Sequence, residues 1–433
     1  MALNYGLKEI EEKKAIDVAF PIYSSLFFQV LNISDPYYKI TSIDEFIRLI
    51  NLANFTNIDA NLTSPELFVQ SLNYDYAYPS DKTNLRTIDY YFNFIIDTLH
   101  YNYNLILINC SSNENNFAAA IQNYSIDLCF YDPLKTTISQ TIEDQIVKNK
   151  IPIVLNTSIS NSTFISPEKK FYIDKNITNF NLDFTDFYSR SELNNDDFKQ
   201  MACSIAGVKR IKRYYGDENI SDDSEYSNSP YVLISLVSDA VGIISRQYAT
   251  PWFSAAGNSK GIILNQKFTK INLDKIKYSE TIIPLSPTDL SFGSGSSLST
   301  ISDRRINVFL QLNTATGKEY CLGTYYSGIT SPTNVALESF AVSSLISKIK
   351  KLIDPVLLKY TFSLNNKSVR DFVKAECDLI FRNLFSSRAI SKYSIICDET
   401  NNTPQTINDR KLILDISFTP VQTTKSINLI FNT

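Results

Sequence analysis

The strongest constraint on the fold is a regular alternation of apolar and polar residues near the end of the sequence. Two short segments there, KLILDISFTP and KSINLIFN, carry apolar side chains at every second position. Because successive side chains of a strand point to opposite faces, each segment predicts a strand with one apolar face. The residues on these faces are Leu412, Leu414, Ile416 and Phe418 in the first strand, and Ile427, Leu429 and Phe431 in the second.

Both ends of the chain are predicted to reach other molecules. The last strand follows the polar linker PVQTTK, and a strand tethered in this way can pair with its own sheet or with the sheet of another molecule. The first segment, AIDVAFPIYSSLFF after a charged opening, predicts an extended arm that leads into a strand. The residues that we expect to exchange between subunits are Ile16, Val18, Phe20, Ile427, Leu429 and Phe431.

The length of the chain predicts more than one domain. A single core stops growing at about 250–300 residues, whereas this chain has 433 residues, 44% of them hydrophobic. Short apolar runs such as LILIN and IPIVL alternate with amphipathic stretches, which predicts a mixed α/β fold. The polar, acidic stretch at 213–230 predicts an exposed loop between domains. The predicted divisions are an N-terminal linking arm at 1–28, a variable outer α/β domain at 31–215, a core domain at 216–410, and the C-terminal strands with a second arm at 411–433.

Two helices have clear sequence signals. Ser42 and Glu45 form a capping box before the apolar positions Ile43, Phe46, Ile47 and Ile50. Two long helices are predicted after residue 333, and the second has apolar residues at spacings of three and four, which predicts a buried stripe. The residues of that stripe are Val369, Phe372, Val373, Cys377, Ile380, Phe381 and Leu384.

Charge and hydropathy disfavour nucleic acid and membrane as direct partners. The net charge of −4 gives no basic footprint for phosphate neutralisation. The longest apolar runs are shorter than the roughly 18–20 residues that a membrane span needs, and the charged opening MALNYGLKEIEEKKAID is unlike a secretory signal. We therefore expect the protein to begin in the cytoplasm.

The residues of common catalytic and metal sites are scarce. His100 is the one histidine, so histidine-pair metal sites and most Ser-His or Cys-His schemes lose their simplest form. The six cysteines contain no CxxC pair, and we expect no metal and no cofactor. One enzyme remains as an alternative: an intracellular hydrolase built on 31–215 with a cysteine nucleophile.

Several segments of the second half resemble the contractile tail sheath proteins of tailed bacteriophages and related injection machines. SDAVGIISRQYATPWFSAAGNSKGII is similar to a family stretch in which a helix leads to a turn, here containing Trp252, Ala256 and Gly257. The order of elements from FSLNNKSVRDF to the end is similar to the family's terminal block. That block comprises a helix opened by Asn, a strand ending in Cys397 and Asp398, an Asn-Asn-Thr-Pro turn, and two last strands.

The resemblance implies a structural protein that is not an enzyme. It implies stacked rings, usually sixfold, that surround an inner tail tube and contract to drive the tube through a cell envelope for genome delivery. The implied partners are other copies of the chain, the tail tube protein, and the baseplate and tail terminator proteins. The implied location is the tail of the virion, after assembly in the host cytoplasm.

A basic helix end is the predicted contact with the tube. Lys348, Lys350 and Lys351 lie together on an otherwise neutral segment, and a contact that must release is expected to be polar and weak. Alternatively, these lysines only solvate the end of the helix and complement its dipole. A second reading within the structural class is another tail component, such as a sheath-like initiator at the baseplate.

Overall fold

The computed structural model describes most of the C-terminal region and a set of core segments before it. The predicted loops at 213–230 and 286–300, the arm residues 1–21 and the predicted last strand lie outside the described residues. The described residues are 22–27, 35–52, 94–101, 104–110, 113–131, 139–156, 196–205, 208–212, 231–247, 255–256, 261–263, 277–278, 283–284, 305–307, 309–314, 317–329 and 335–421.

Strands and helices alternate through the first part of the chain, and long helices dominate its end. The strands are β1 (Ile22–Phe27), β2 (Tyr37–Ile40), β3 (Asn104–Asn109), β4 (Leu128–Tyr131), β5 (Ile153–Asn156), β6 (Ala202–Ile205), β7 (Val208–Lys212), β8 (Tyr231–Ser235), β9 (Lys277–Tyr278), β10 (Ile283–Pro284), β11 (Ile306–Asn307), β12 (Phe309–Thr314), β13 (Gly317–Leu322), β14 (Ile390–Ile396) and β15 (Asp415–Pro420). The helices are α1 (Ile43–Leu52), α2 (94–99), α3 (Asn115–Asn123), α4 (Gln140–Asn149), α5 (Asp196–Met201), α6 (Val237–Arg246), α7 (Phe340–Tyr360), α8 (Lys367–Ser386) and α9 (Pro404–Asn408).

A seven-stranded sheet organises the first part of the chain, in the order β11-β6-β5-β4-β1-β3-β2. Its neighbours pair in parallel except at the β2 edge, where β2 runs antiparallel to β3. Parallel strands of this kind need helical crossovers and covered faces, as the alternation of short apolar runs and amphipathic stretches predicted. The mixed α/β class is thereby confirmed.

Helices cover both faces of this sheet. On β3, Leu105 and Leu107 belong to one core cluster, whereas Ile106 and Ile108 belong to another. The first cluster is completed by α1, α2 and α6, and the second by α3, α4 and α5. Successive side chains of β3 therefore point to opposite faces of the sheet and pack into two separate cores.

The capping box predicted at α1 forms in a modified way. The Glu45 amide donates to Ser42 Oγ at 3.1 Å, which is the expected cap. The Glu45 carboxylate accepts instead from the Thr41 amide at 2.7 Å and from the Thr41 hydroxyl. Phe46 and Leu49 of this helix are buried against the sheet.

The first core extends across the boundary predicted at 215/216. Strand β11 pairs with β6, and α6 packs into the cluster that contains β3 and β4. At the N-terminal side, β1 lies between β3 and β4, so residues 22–27 of the predicted arm belong to the chain's own sheet. The boundary at 215/216 was predicted from the polar loop at 213–230. Strand β11 comes after that loop in the sequence but pairs with β6, so it completes the seven-stranded sheet of the first part of the chain.

A third core forms around α7, α8, β14 and β15. On α8, Val373, Cys377, Phe381 and Leu384 are buried in it, as the helical spacing predicted. Phe372 is the exception, since it is 59% exposed. It lies about 100° around the helix from its neighbour Val373, and this rotation carries it out of the stripe.

A close helix contact explains the glycine in α6. An added Cβ at Gly242 would lie 2.2 Å from Cδ1 of Tyr101. The Tyr101 ring is held in place because its hydroxyl donates to the Asp239 carboxylate at 2.8 Å. Only a residue without a side chain fits between this ring and the helix.

Replacing Gly242 by alanine should therefore lower the free energy of unfolding by about 1–3 kcal/mol through overpacking. Thermal unfolding of the full chain measures this loss. Gln247→Ala, at the partly exposed C-terminal end of the same helix, is the control and should change stability by less than about 0.5 kcal/mol. Equal melting temperatures for G242A and the unchanged protein would contradict the close contact between Gly242 and the Tyr101 ring.

Candidate assembly surface of the C-terminal domain

Residues 340–421, called the C-terminal domain below, end in a small sheet with open edges. Strands β14 and β15 are antiparallel, with Tyr393 opposite Phe418 and Ile395 opposite Ile416. Phe418 lies 6.0 Å from the Phe381 ring of α8, so one face of the sheet is covered by that helix. No third strand pairs with either of these two within the described part of the chain. Among the described residues, each of these strands therefore has one edge whose backbone donors and acceptors are not paired with another strand.

A buried polar network fixes the loop that joins β14 to β15. Asn402 is buried, and its side chain bonds both the amide and the carbonyl of Ile413 at 2.8 Å. Arg370 of α8 is buried and donates to Glu399 at 2.8 Å and to Asn365 Oδ1 at 3.1 Å. Since such groups are costly to bury without partners, the network holds the sheet in one orientation on α8.

Helix α7 fastens the C-terminal domain to the rest of the protein. At its start, Phe340 packs edge-on against Tyr325 with ring centroids 5.3 Å apart. One turn later, the Ser343 hydroxyl donates to the Gln200 carbonyl. Phe340 belongs to the first core, whereas Leu345 belongs to the third. The helix thus takes part in two cores.

The three lysines predicted to contact the tube have different surroundings. Lys351 Nζ lies 2.6 Å from Asp127 Oδ1 and also donates to the Ile126 carbonyl. Burial lowers the pKa of Lys351, and the Asp127 carboxylate opposes that shift. Burial likewise lowers the pKa of Lys348, again against the charge of Asp127. Lys350 instead pairs at 2.8 Å with Asp354, one turn along α7, where both side chains are partly exposed.

The C-terminal domain differs in charge from the rest of the chain. It contains twelve Lys or Arg and eight Asp or Glu residues, which gives a net charge of +4. The whole chain carries −4, so the remaining residues carry −8. A basic domain on an acidic chain is electrostatically complementary to other copies of that chain and to other acidic surfaces.

Exposed apolar residues are concentrated in the same domain. Every large apolar side chain that is exposed among the described residues lies between 352 and 421. Concentrated apolar exposure marks an interaction surface more often than scattered single residues do. These residues are Leu352, Leu357, Leu358, Phe362, Leu364, Phe372, Leu379, Phe385, Ile396, Ile407, Ile413 and Val421.

The cysteines lack the features of an activated nucleophile. All six are buried, and none of them forms a disulfide. Burial raises the pKa of Cys377 to about 11 and also raises that of Cys203. A reactive cysteine needs a lowered pKa and access to substrate, so these environments disfavour the hydrolase alternative.

In the described segments, no group of three or more His, Cys, Asp or Glu side chains is arranged to hold a metal ion. In the same segments, no helix is both long enough and apolar enough to cross a bilayer.

Comparison with known proteins gives one family match and several structural matches. Residues 343–432 match the family model described as the phage tail sheath C-terminal domain. The chain is similar in structure to the sheath complex of an extracellular contractile injection system, PVC, in its contracted state. That match has a TM-score of 0.58 and 12% identity, and covers 96% of this chain and 91% of that one. No curated protein sequence matches significantly.

Two other solved structures come from the anti-feeding prophage. The chain is similar to a chain of its baseplate, with a TM-score of 0.54 and 12% identity over 96% of this chain and 93% of that one. It is also similar to the helical sheath in the contracted state, with a TM-score of 0.54 and 10% identity over the same shares. At these identities, the likeness shows a common fold.

The Lys351–Asp127 pair should stabilise the packing of α7 against the part of the chain that contains β4. We expect Lys351→Met to cost about 1–3 kcal/mol of unfolding free energy, because Asp127 then stays partly buried without its cation. The double variant with Asp127→Asn should lose less than the sum of the single losses. Lys350→Met is the matched control on the same helix and should cost under about 0.5 kcal/mol. Thermal unfolding of all four variants measures the coupling, and additive losses would contradict a direct pair.

Proposed function

We propose that this chain, which has the contractile sheath fold and carries a phage tail sheath C-terminal domain, is the structural subunit of a contractile tail sheath. The resemblance noted in the sequence is confirmed by that domain match and by the fold. The subunit polymerises into stacked rings around a tail tube and contracts to drive the tube through the host envelope. Its role is mechanical rather than catalytic.

The observation that carries this proposal is the coincidence of a sequence match with a structural unit. The match to the sheath domain begins at residue 343, within the first turn of α7, and includes all of α8, β14 and β15. The same region holds the open strand edges, the basic charge and the exposed apolar side chains. Features needed for assembly therefore lie in the part of the chain that resembles sheath proteins most specifically.

Strand exchange is the proposed link between subunits. Segment 426–431 follows the end of β15 closely in the sequence, and β14 and β15 each offer one open edge. Each added strand would form several hydrogen bonds worth roughly 0.5–1.5 kcal/mol each and bury apolar side chains at about 1.5–3 kcal/mol apiece. The residues proposed to cross between copies remain Ile16, Val18, Phe20, Ile427, Leu429 and Phe431.

Linked strands suit a machine that changes shape. Subunits of a contracting tube must rotate and slide as rigid bodies while staying joined. Ladder hydrogen bonds can hold the exchanged strands while the linkers, such as PVQTTK, absorb the rotation. In this arrangement residues 216–433, with part of the N-terminal arm, lie at low radius, and the α/β region at 31–215 faces outward.

Contact with the tube is proposed to be polar and centred on the basic side of α7. Lys350 is the strongest candidate of the three predicted lysines, since Lys351 pairs with Asp127 of the protein's own body and Lys348 is partly buried within the electrostatic influence of the same carboxylate. The net charge of the C-terminal domain supports an acidic tube surface as its partner. Baseplate and terminator proteins would bind the two ends of the sheath in the particle, after assembly in the host cytoplasm.

A second candidate role is a sheath-like component of the baseplate. The similarity to a chain of the anti-feeding prophage baseplate favours it. The number of copies per particle separates the two roles, because a sheath is present in many copies and an initiator in few.

Truncation after Thr424 tests the strand link. We expect the full chain to form long hollow cylinders in electron micrographs, and the truncated chain to stay folded and soluble without forming them. A variant with the linker PVQTTK changed but the last strand intact is the control and should still polymerise. Normal cylinders from the truncated protein would show that the link lies elsewhere.

Charge reversal at Lys350 tests the tube contact. K350E should weaken co-assembly with the tube protein about tenfold at low salt, and the loss should shrink as salt screens the contact. K148E, at an exposed lysine of α4, is the control. Equal co-assembly of K350E and K148E at every salt concentration would remove Lys350 from the interface.

A further inference from the structure

The end of α7 and the turn that leads to α8 carry the most solvent-accessible large apolar side chains of the described residues. Leu358 is 71% exposed and Leu364 77%, and Phe362 between them is fully exposed. A single exposed apolar side chain needs no explanation, but three within seven residues, at the end of α7 and in the turn after it, form a small apolar tip. We call Leu358, Phe362 and Leu364 the apolar tip.

Phe362 also has an unfavourable backbone conformation. Its φ is +67°, in the left-handed region that a bulky side chain rarely adopts. The other described non-glycine residues with positive φ are Lys150, Arg305, Arg388 and Arg410, all of them long and basic. A glycine or asparagine would relieve the strain at residue 362, and a polar side chain would relieve the exposure. Phe362 combines an unfavourable backbone conformation with a fully exposed apolar ring, and this combination indicates that the ring has a binding role.

The tip is presented on a rigid support. The Ser363 amide donates to the Tyr360 carbonyl at 3.0 Å, and the side chain of Asn366 caps α8 through the Val369 amide. Asn365 donates to the Lys411 carbonyl at 2.7 Å, which ties the turn to the loop between β14 and β15. The apolar tip and the open-edged sheet therefore belong to one firm unit.

From these observations we infer that Phe362 anchors the C-terminal domain in an apolar recess on a second copy of this chain. This inference rests on the proposed function. An apolar tip fits a second copy better than it fits the tube. A contact that must release during contraction should be polar, whereas an apolar anchor suits a contact that persists between subunits. Charge is also compatible with a second copy, because the C-terminal domain carries +4 and the rest of the chain −8, although Lys359 beside the tip is already paired with Glu376.

The test compares Phe362→Gly and Phe362→Asn with Phe372→Ser in the full chain. Both replacements at 362 suit a positive φ, so their melting temperatures should equal or exceed that of the unchanged protein. The critical concentration for polymerisation should rise by at least about tenfold for them. Phe372 is also an exposed phenylalanine but lies on regular helix, and F372S should change the critical concentration less than about twofold.

A photo-crosslinking amino acid in place of Phe362 identifies the occupant. In assembled sheaths, irradiation should join two copies of this chain. Crosslinks to the tube protein, or an unchanged critical concentration for F362G, would overturn the inference while leaving the sheath role intact. Failure of the unchanged protein to polymerise at all would overturn both, so the two failures are distinguishable.

Discussion

The fold depends on how α7 joins two cores. Its first residues, Phe340 and Ala341, complete the core beneath the seven-stranded sheet, and its later residues, from Leu345 to Ile353, form one side of the C-terminal core. Twenty-one residues of continuous helix span about 30 Å, so a movement imposed on one end is transmitted to the other. The Lys351–Asp127 pair adds a second point of attachment midway along the helix.

This joint explains why the assembly features of the chain can work together. The open edges of β14 and β15 are fixed on α8 by the network around Asn402 and Arg370, and α8 is packed on α7. A pull on an exchanged strand would therefore act on the whole subunit rather than unravel a loop.

Local periodicity was enough to predict much of this structure. The period-two faces at Leu414, Ile416 and Phe418, the helical stripe at Val373, Cys377 and Phe381, and the strands at LILIN and IPIVL all depend on nearest neighbours. Contacts between distant residues left no such signal. Asp127 lies 224 residues from Lys351, and strand β11 returns to β6 from about a hundred residues away, so neither the ion pair nor the shared core could be predicted. The strained Phe362 was equally hidden, because its sequence neighbours do not specify a positive φ.

The central claim is that the small sheet of the C-terminal domain is completed by strands of other copies. A helical reconstruction of assembled cylinders, at a resolution that traces the backbone, tests it most directly. The account predicts a strand from a second copy hydrogen-bonded to an outer edge of β14 or β15. A map in which both edges are covered only by segments of the same chain, or remain uncovered, would contradict it.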